Sequence, residues 1–100
     1  MTLIYITCKD KAEARKISLH LLKKKLIACS NFFPIRSMYM WQGKLQNEPE
    51  YAILAKTKKG KYEKIKEEVS KVHSYKVPCI LKIDSEANLP YQKWVDEEVR

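Results

Sequence analysis

The stretch Phe32–Gln42, FFPIRSMYMWQ, decides how this chain folds. Ile35, Ser37, Tyr39 and Trp41 alternate with Arg36, Met38, Met40 and Gln42, and a period of two belongs to a strand whose successive side chains face opposite sides. Gly43 then turns the chain, and Tyr51-Ala52-Ile53-Leu54-Ala55-Lys56-Thr57 reads as the returning strand of a long hairpin, loosened ahead of it by Asn47 and Pro49. Both faces of this ribbon carry large apolar groups. One face is expected to pack on helices, and the other finds no partner inside so short a chain, which makes it a candidate subunit interface.

Outward from the ribbon, Leu3-Ile4-Tyr5-Ile6-Thr7-Cys8 is β-branched and aromatic and is bounded by Lys9-Asp10, as expected of a strand buried on both faces. Asp10 and Glu13 give the D-x-x-E form of a helix start. The helix runs to about Lys24, with Ala14, Ile17, Leu21 and Leu22 as its buried stripe. On the far side, Gly60 opens a second helix with Tyr62, Ile65, Val69 and Val72 on one face, ending near His73. Val77–Ile83 reads as a final strand with Pro78 near its first residue, where a missing N–H does least harm. Asn88 and Pro90 start a short last helix whose sticky face is Tyr91, Trp94, Val95 and Val99. The order β-α-β-β-α-β plus a C-terminal helix is an α+β fold of ferredoxin-like type, with helices on one face of an antiparallel sheet.

One hundred residues with 45% hydrophobic content fit a single domain spanning 1–100. A domain this small gains much from burying further surface against copies of itself. The formal charge of +8 attracts anions in general, but most of the excess is helix lysine, as at Lys23, Lys24, Lys25, Lys64 and Lys66, and is expected to be a solvated face. No apolar stretch approaches the roughly 20 residues that cross a bilayer. Met1 leads almost directly into the first strand without a basic leader, and the three cysteines are odd in number with no C-x-x-C pair. Both features lead to the expectation of a reducing cytoplasm.

Two glycines in all rule out the usual phosphate-cradling loops. Nothing fixes Cys8, Cys29 or Cys79 beside His20 or His73 as a nucleophile and its base, so no enzyme is expected. Cys29 and Cys79 lie in apolar surroundings and read as buried, and His20 reads as an ordinary surface residue. Cys8 ends a strand at the rim of the sheet, where ligands can reach. His73, at a helix C-terminus, reads either as a capping residue or as an imidazole ligand. Tyr39 and Trp41 could stack bases, but the aromatic-rich strand of RNA-recognition domains is missing, so nucleic acid is disfavoured and packing between subunits is the expected use of Trp41.

Five ordered motifs resemble the CutA family of divalent-cation tolerance proteins. They are Leu26-Ile27-Ala28-Cys29, Tyr39–Leu45 (YMWQGKL), Glu50 followed by Ile53-Leu54-Ala55-Lys56-Thr57, His73–Pro78 (HSYKVP) and Tyr91-Gln92-Lys93-Trp94. The resemblance implies a ferredoxin-like homotrimer built through the long ribbon, with an inter-subunit cleft lined by Trp41, Glu50, Lys56, His73 and Tyr75. It also implies binding of copper or another divalent metal such as zinc, without an organic cofactor. Two departures matter: Ser74 replaces the proline of the family's H-P-Y, which should loosen that turn, and the strand-one cysteine of some members falls on Ile6. Cys8 lies two residues on and on the same strand face, which gives His73, Cys8 and Glu50 as the expected metal ligands. The alternative is a PII-like signalling or scaffold trimer that binds a small anionic ligand in its inter-subunit cleft through Lys56 and nearby lysines.

Overall fold

In a computed structural model describing residues 1–100, the chain runs β1 (Thr2–Cys8), α1 (Lys11–Lys23), β2 (Cys29–Trp41), β3 (Lys44–Thr57), α2 (Tyr62–Val72), β4 (Ile80–Asp84) and α3 (Leu89–Glu98). The four strands form one sheet in the order β2-β3-β1-β4, antiparallel throughout. This is the expected α+β architecture.

α1 starts where expected: the Asp10 carboxylate accepts the Glu13 N–H at 2.9 Å, which satisfies one free donor of the first turn. Ala14, Ile17 and Leu21 of α1 and Ile65 and Val69 of α2 are fully buried against Ile4, Ile6, Ile53 and Ala55 of the sheet. Each such isoleucine contributes about 1.5–3 kcal/mol through burial. α3 contributes buried Val95, and Val99 just past its end is buried as well.

The sheet departs from expectation in three places. β1 buries one face only: Thr2, Ile4, Ile6 and Cys8 lie in the interior, while Leu3, Tyr5 and Thr7 are half-buried on the other side. The final strand begins at Ile80, not Val77, because the β1–β4 ladder ends at Ile6↔Ile80 and Pro78 has no N–H to extend it. Asn47 and Pro49 do not loosen the ribbon. β3 is continuous, paired with β2 from Cys29↔Lys56 to Trp41↔Lys44. Proline is tolerated there because β1 pairs only with Tyr51–Thr57, so β3 before Tyr51 has one open side.

The β2–β3 hairpin therefore projects past the body as a two-stranded arm, in a molecule measuring 45 × 25 × 21 Å. Its tip is the two-residue turn Gln42-Gly43, both at positive φ (50° and 76°), as a twisted hairpin requires. Met38, Met40, Trp41 and Leu45 on the arm are all exposed.

One buried charge lies on the helical side. Glu68, 1% exposed, accepts Lys71 Nζ at 2.8 Å and His20 Nε2 at 2.9 Å, with Lys24 and Lys64 each at 3.6 Å. His20 thus joins α1 to α2 by a hydrogen bond to Glu68 and is not a free surface residue. The Lys71 bond first, and the His20 bond second, pull the Glu68 carboxyl from its ordinary 4.5 down to about 2. A depressed carboxylate stabilises the fold above its unfolded pKa and loses that contribution as pH falls through the folded one. Thermal stability should therefore drop between about pH 4.5 and 2, and Glu68→Gln should flatten that part of the profile. Parallel profiles for the two proteins would refute this assignment.

Candidate functional site

Between the arm and the loop that follows α2 lies a groove of about 760 Å³. The strand period places its walls. Ser37, Tyr39 and Trp41 of β2 and Gln46, Glu48 and Glu50 of β3 share one face through the pairs Ser37↔Glu48 and Tyr39↔Gln46. The loop adds Ser74, Tyr75, Lys76, Val77 and Cys79. Tyr39 donates its hydroxyl to Glu48 Oε1 and Tyr75 donates to Glu50 Oε2, each at 2.5 Å. Burial, then the Glu50 bond, raises the Tyr75 phenol, and the Glu48 bond raises Tyr39, so both tyrosines stay protonated donors at neutral pH.

The groove is acidic on a basic protein. Two carboxylates face one lysine, Lys76, in a chain of charge +8. The chain's lysine ion pairs engage Glu63, Glu67 and Glu68 and leave out Glu48 and Glu50. Glu50 is only 7% exposed. A nearly buried carboxylate without a cation is costly unless hydrogen bonds or a bound cation stabilise it, and here the Tyr75 hydroxyl supplies one such bond.

The loop wall is held from behind. The His73 imidazole is fully buried; its Nδ1 accepts the Tyr75 N–H at 3.0 Å and its Nε2 lies 2.9 Å from the Thr7 carbonyl. The tautomer follows: Nδ1 is the acceptor, so Nε2 carries the proton and donates. Glu13, 6% exposed, accepts the Lys9 N–H at 3.1 Å and the Ser74 N–H at 2.7 Å. Burial alone would raise the Glu13 carboxyl, but the bonds from Ser74 and Lys9 outweigh it and the net shift is downward. Ser74 does not loosen the turn, contrary to expectation. Its N–H ties the loop to α1, a bond that proline could not make.

Of the expected site residues, Trp41, Glu50 and Tyr75 meet in the groove. Lys56 does not. It lies six residues from Glu50 along β3, roughly 20 Å at the rise of a strand, where its Nζ donates to Asn31 and lies 3.9 Å from Cys29 Sγ. Cys8 is not at a reachable rim: it is fully buried, and burial first, then the Glu13 charge, pushes its thiol up to about 12. Such a thiol is inert as a nucleophile or ligand. Both His73 nitrogens are engaged. No three His, Cys, Asp or Glu side chains of the chain are grouped to hold a metal.

The structure adds Glu48, Glu13 and Cys79. Glu48 was legible as the residue two before Glu50, on the same strand face. Cys79, read as buried, is half-exposed and lines the groove, because the segment holding it precedes β4.

The CutA1 divalent ion tolerance protein family model matches residues 2–98. The divalent-cation tolerance protein CutA of Archaeoglobus fulgidus is 43% identical over 97 residues, covering 96% of this chain and 95% of that one. The crystal structure of CutA1 from Pyrococcus horikoshii superposes with a TM-score of 0.96 at 37% identity, covering 100% of this chain and 99% of that one. The PII-like protein CutA from Nostoc, at 22% identity and TM-score 0.92, covering 100% of this chain and 98% of that one, shares the fold. No helix is long and apolar enough to cross a membrane. With a family match that spans nearly every residue and relatives alike in sequence and fold, this chain belongs to the CutA1 divalent ion tolerance protein family.

Proposed function

We propose that this chain is the subunit of a homotrimeric, non-enzymatic protein of the response to divalent cations, and that the cation enters the groove between the arm and the loop after α2. The observation that carries this is the nearly buried Glu50 carboxylate, which has a tyrosine hydroxyl but no cation beside it, with Glu48 two residues away in the same groove. Copper or zinc would be held by Glu50 and Glu48, with remaining donors from a neighbouring subunit packed on the arm. Cys8 and His73 are left out of the ligand set because one is sealed in the core and the other is spent on backbone bonds. Within one chain Lys56 lies roughly 20 Å from Glu50 along β3, so it takes no part in this groove unless a neighbouring subunit brings its own copy there. Three free cysteines suit a cytoplasmic setting.

The test is a copper and zinc titration of the metal-free protein that follows heat and oligomeric mass together. Saturable binding is expected in wild type and in Cys8→Ser, and its loss in Glu50→Gln with the assembly unchanged. Binding that Glu50→Gln leaves intact, or none above the nonspecific level in wild type, would overturn the placement.

A further inference from the structure

The lysines of α1 and α2 differ in what they meet. On α2, Lys64, Lys66 and Lys71 each pair with Glu63, Glu67 or Glu68. On α1, Lys11, Arg15, Lys16 and Lys23 are exposed and enter no ion pair. Lys9 and Lys25 flank the helix, exposed and unpaired, and of the lysines in this stretch only Lys24 reaches a carboxylate, Glu68 at 3.6 Å. The two acids of the stretch offer no compensation. The Asp10 carboxylate accepts the Glu13 N–H, and Glu13, 6% exposed, accepts the N–H groups of Lys9 and Ser74.

Helix period sets these cations around an apolar strip. At about 100° per residue, the exposed arc of α1 runs from Lys11 to Lys16 over roughly 140°. Lys11 and Arg15 stand along one side of it and Lys23 and Lys16 along the other, with Ala12 and Leu19 between them and Leu22, 38% exposed, within the first row. The opposite side of the helix, Ala14, Ile17 and Leu21, packs on Ile4, Ile6, Ile53 and Ala55 of the body. The arc therefore faces away from the sheet, whose other face carries Thr7 and the groove, and association through the arm tip leaves it open.

We propose that the outer face of α1 docks on an anionic lipid surface, with its cations on the charged headgroups and Leu19 and Leu22 at the headgroup boundary. The proposal goes beyond the cation reading of the groove and does not depend on it. A helix that lies in the plane of a membrane combines cations with an apolar strip in this way, and each cation near an anionic leaflet adds an attraction that salt screens. A nucleic-acid backbone would engage the cations alone and give the leucines nothing to bury against.

Co-sedimentation of the assembled wild-type protein with vesicles of phosphatidylcholine alone, and of phosphatidylcholine mixed with phosphatidylserine, tests this. Binding is expected only to the mixed vesicles and should weaken as salt rises above about 0.1 M. Arg15→Gln with Lys23→Gln should weaken it about 25-fold, at about 5-fold per cation. Lys82→Gln with Lys93→Gln removes the same charge from exposed positions on β4 and α3 and should cost far less. Leu22→Ala, which leaves the charge untouched, should weaken binding a few-fold. Equal losses in the two double variants would make net charge the cause and overturn the proposal, as would full-strength binding by Leu22→Ala or no binding by wild type. If duplex DNA binds with the same dependence on Arg15 and Lys23 while the mixed vesicles do not, the face serves nucleic acid and the lipid assignment falls.

Discussion

In metal-free buffer, His73→Ala is expected to lower the unfolding free energy by about 3–5 kcal/mol, a third or more of what a domain this size commonly has. The imidazole ties the end of β1 to the loop after α2 through Thr7 and Tyr75. Its removal leaves the part-buried Thr7 carbonyl and Tyr75 N–H without this partner, each costing up to about 1–3 kcal/mol when left unpaired, and opens a cavity where the imidazole was. With a slope of about 1–3 kcal/mol per molar urea, the midpoint should fall by roughly 2 M. Protein concentration must be held fixed, since association adds to the stability of an oligomer. A histidine kept for a metal would behave oppositely: its loss would leave the metal-free protein as stable as wild type and would show only on adding metal. An unchanged midpoint in chelator would thus return His73 to the ligand set and remove it as a clamp.

Why the fold was legible and the clamp was not is a matter of range. Period two across Phe32–Gln42, the Asp10 cap and the spacing of Ile65 and Val69 are local signals, and each produced the element it implied. Pro49 misled because whether a proline breaks a ladder depends on which neighbour its strand lacks, and β1 turns out to stop opposite Tyr51. Pro78 carried a usable signal, displaced by two residues: it stands before the strand it was expected to begin.

The site was half legible for the same reason. Glu50, Trp41 and Tyr75 line one groove of the single chain, since the arm and the loop converge on one face of the sheet. Cys8 was read from its position at a strand end, but exposure there depends on what covers the end, and the Cys8 side chain belongs to the core. The Glu13 bond to Ser74 spans 61 residues, beyond any spacing rule. Lys56 shares a strand with Glu50, yet distance along β3 separates them. A motif preserves the order of residues but does not say which of them meet.

Trp41→Ala is expected to convert the assembly to single chains at micromolar concentration, or to aggregate them. The arm presents a 13-residue edge strand, β2, and its tip exposes Met38, Met40, Trp41 and Leu45. A long apolar edge left open is an aggregation hazard, and proteins cover such edges. A buried interface tryptophan is worth about 2 kcal/mol or more; in the proposed ring of three subunits this makes about 6 kcal/mol, roughly 10⁴-fold in the assembly constant. The substitution should cost the isolated subunit little, because Trp41 lies at the arm tip, 57% exposed and outside the core. Light scattering against protein concentration reads the association, and circular dichroism on the same samples separates dissociation from unfolding. Helix and sheet signals retained at the mass of one chain would place the interface on the arm and make the groove's neighbour a second copy of this protein. A mass of three chains held by Trp41→Ala down to nanomolar concentration would move the interface elsewhere, and the remaining donors for a metal at Glu50 would then have to come from solvent.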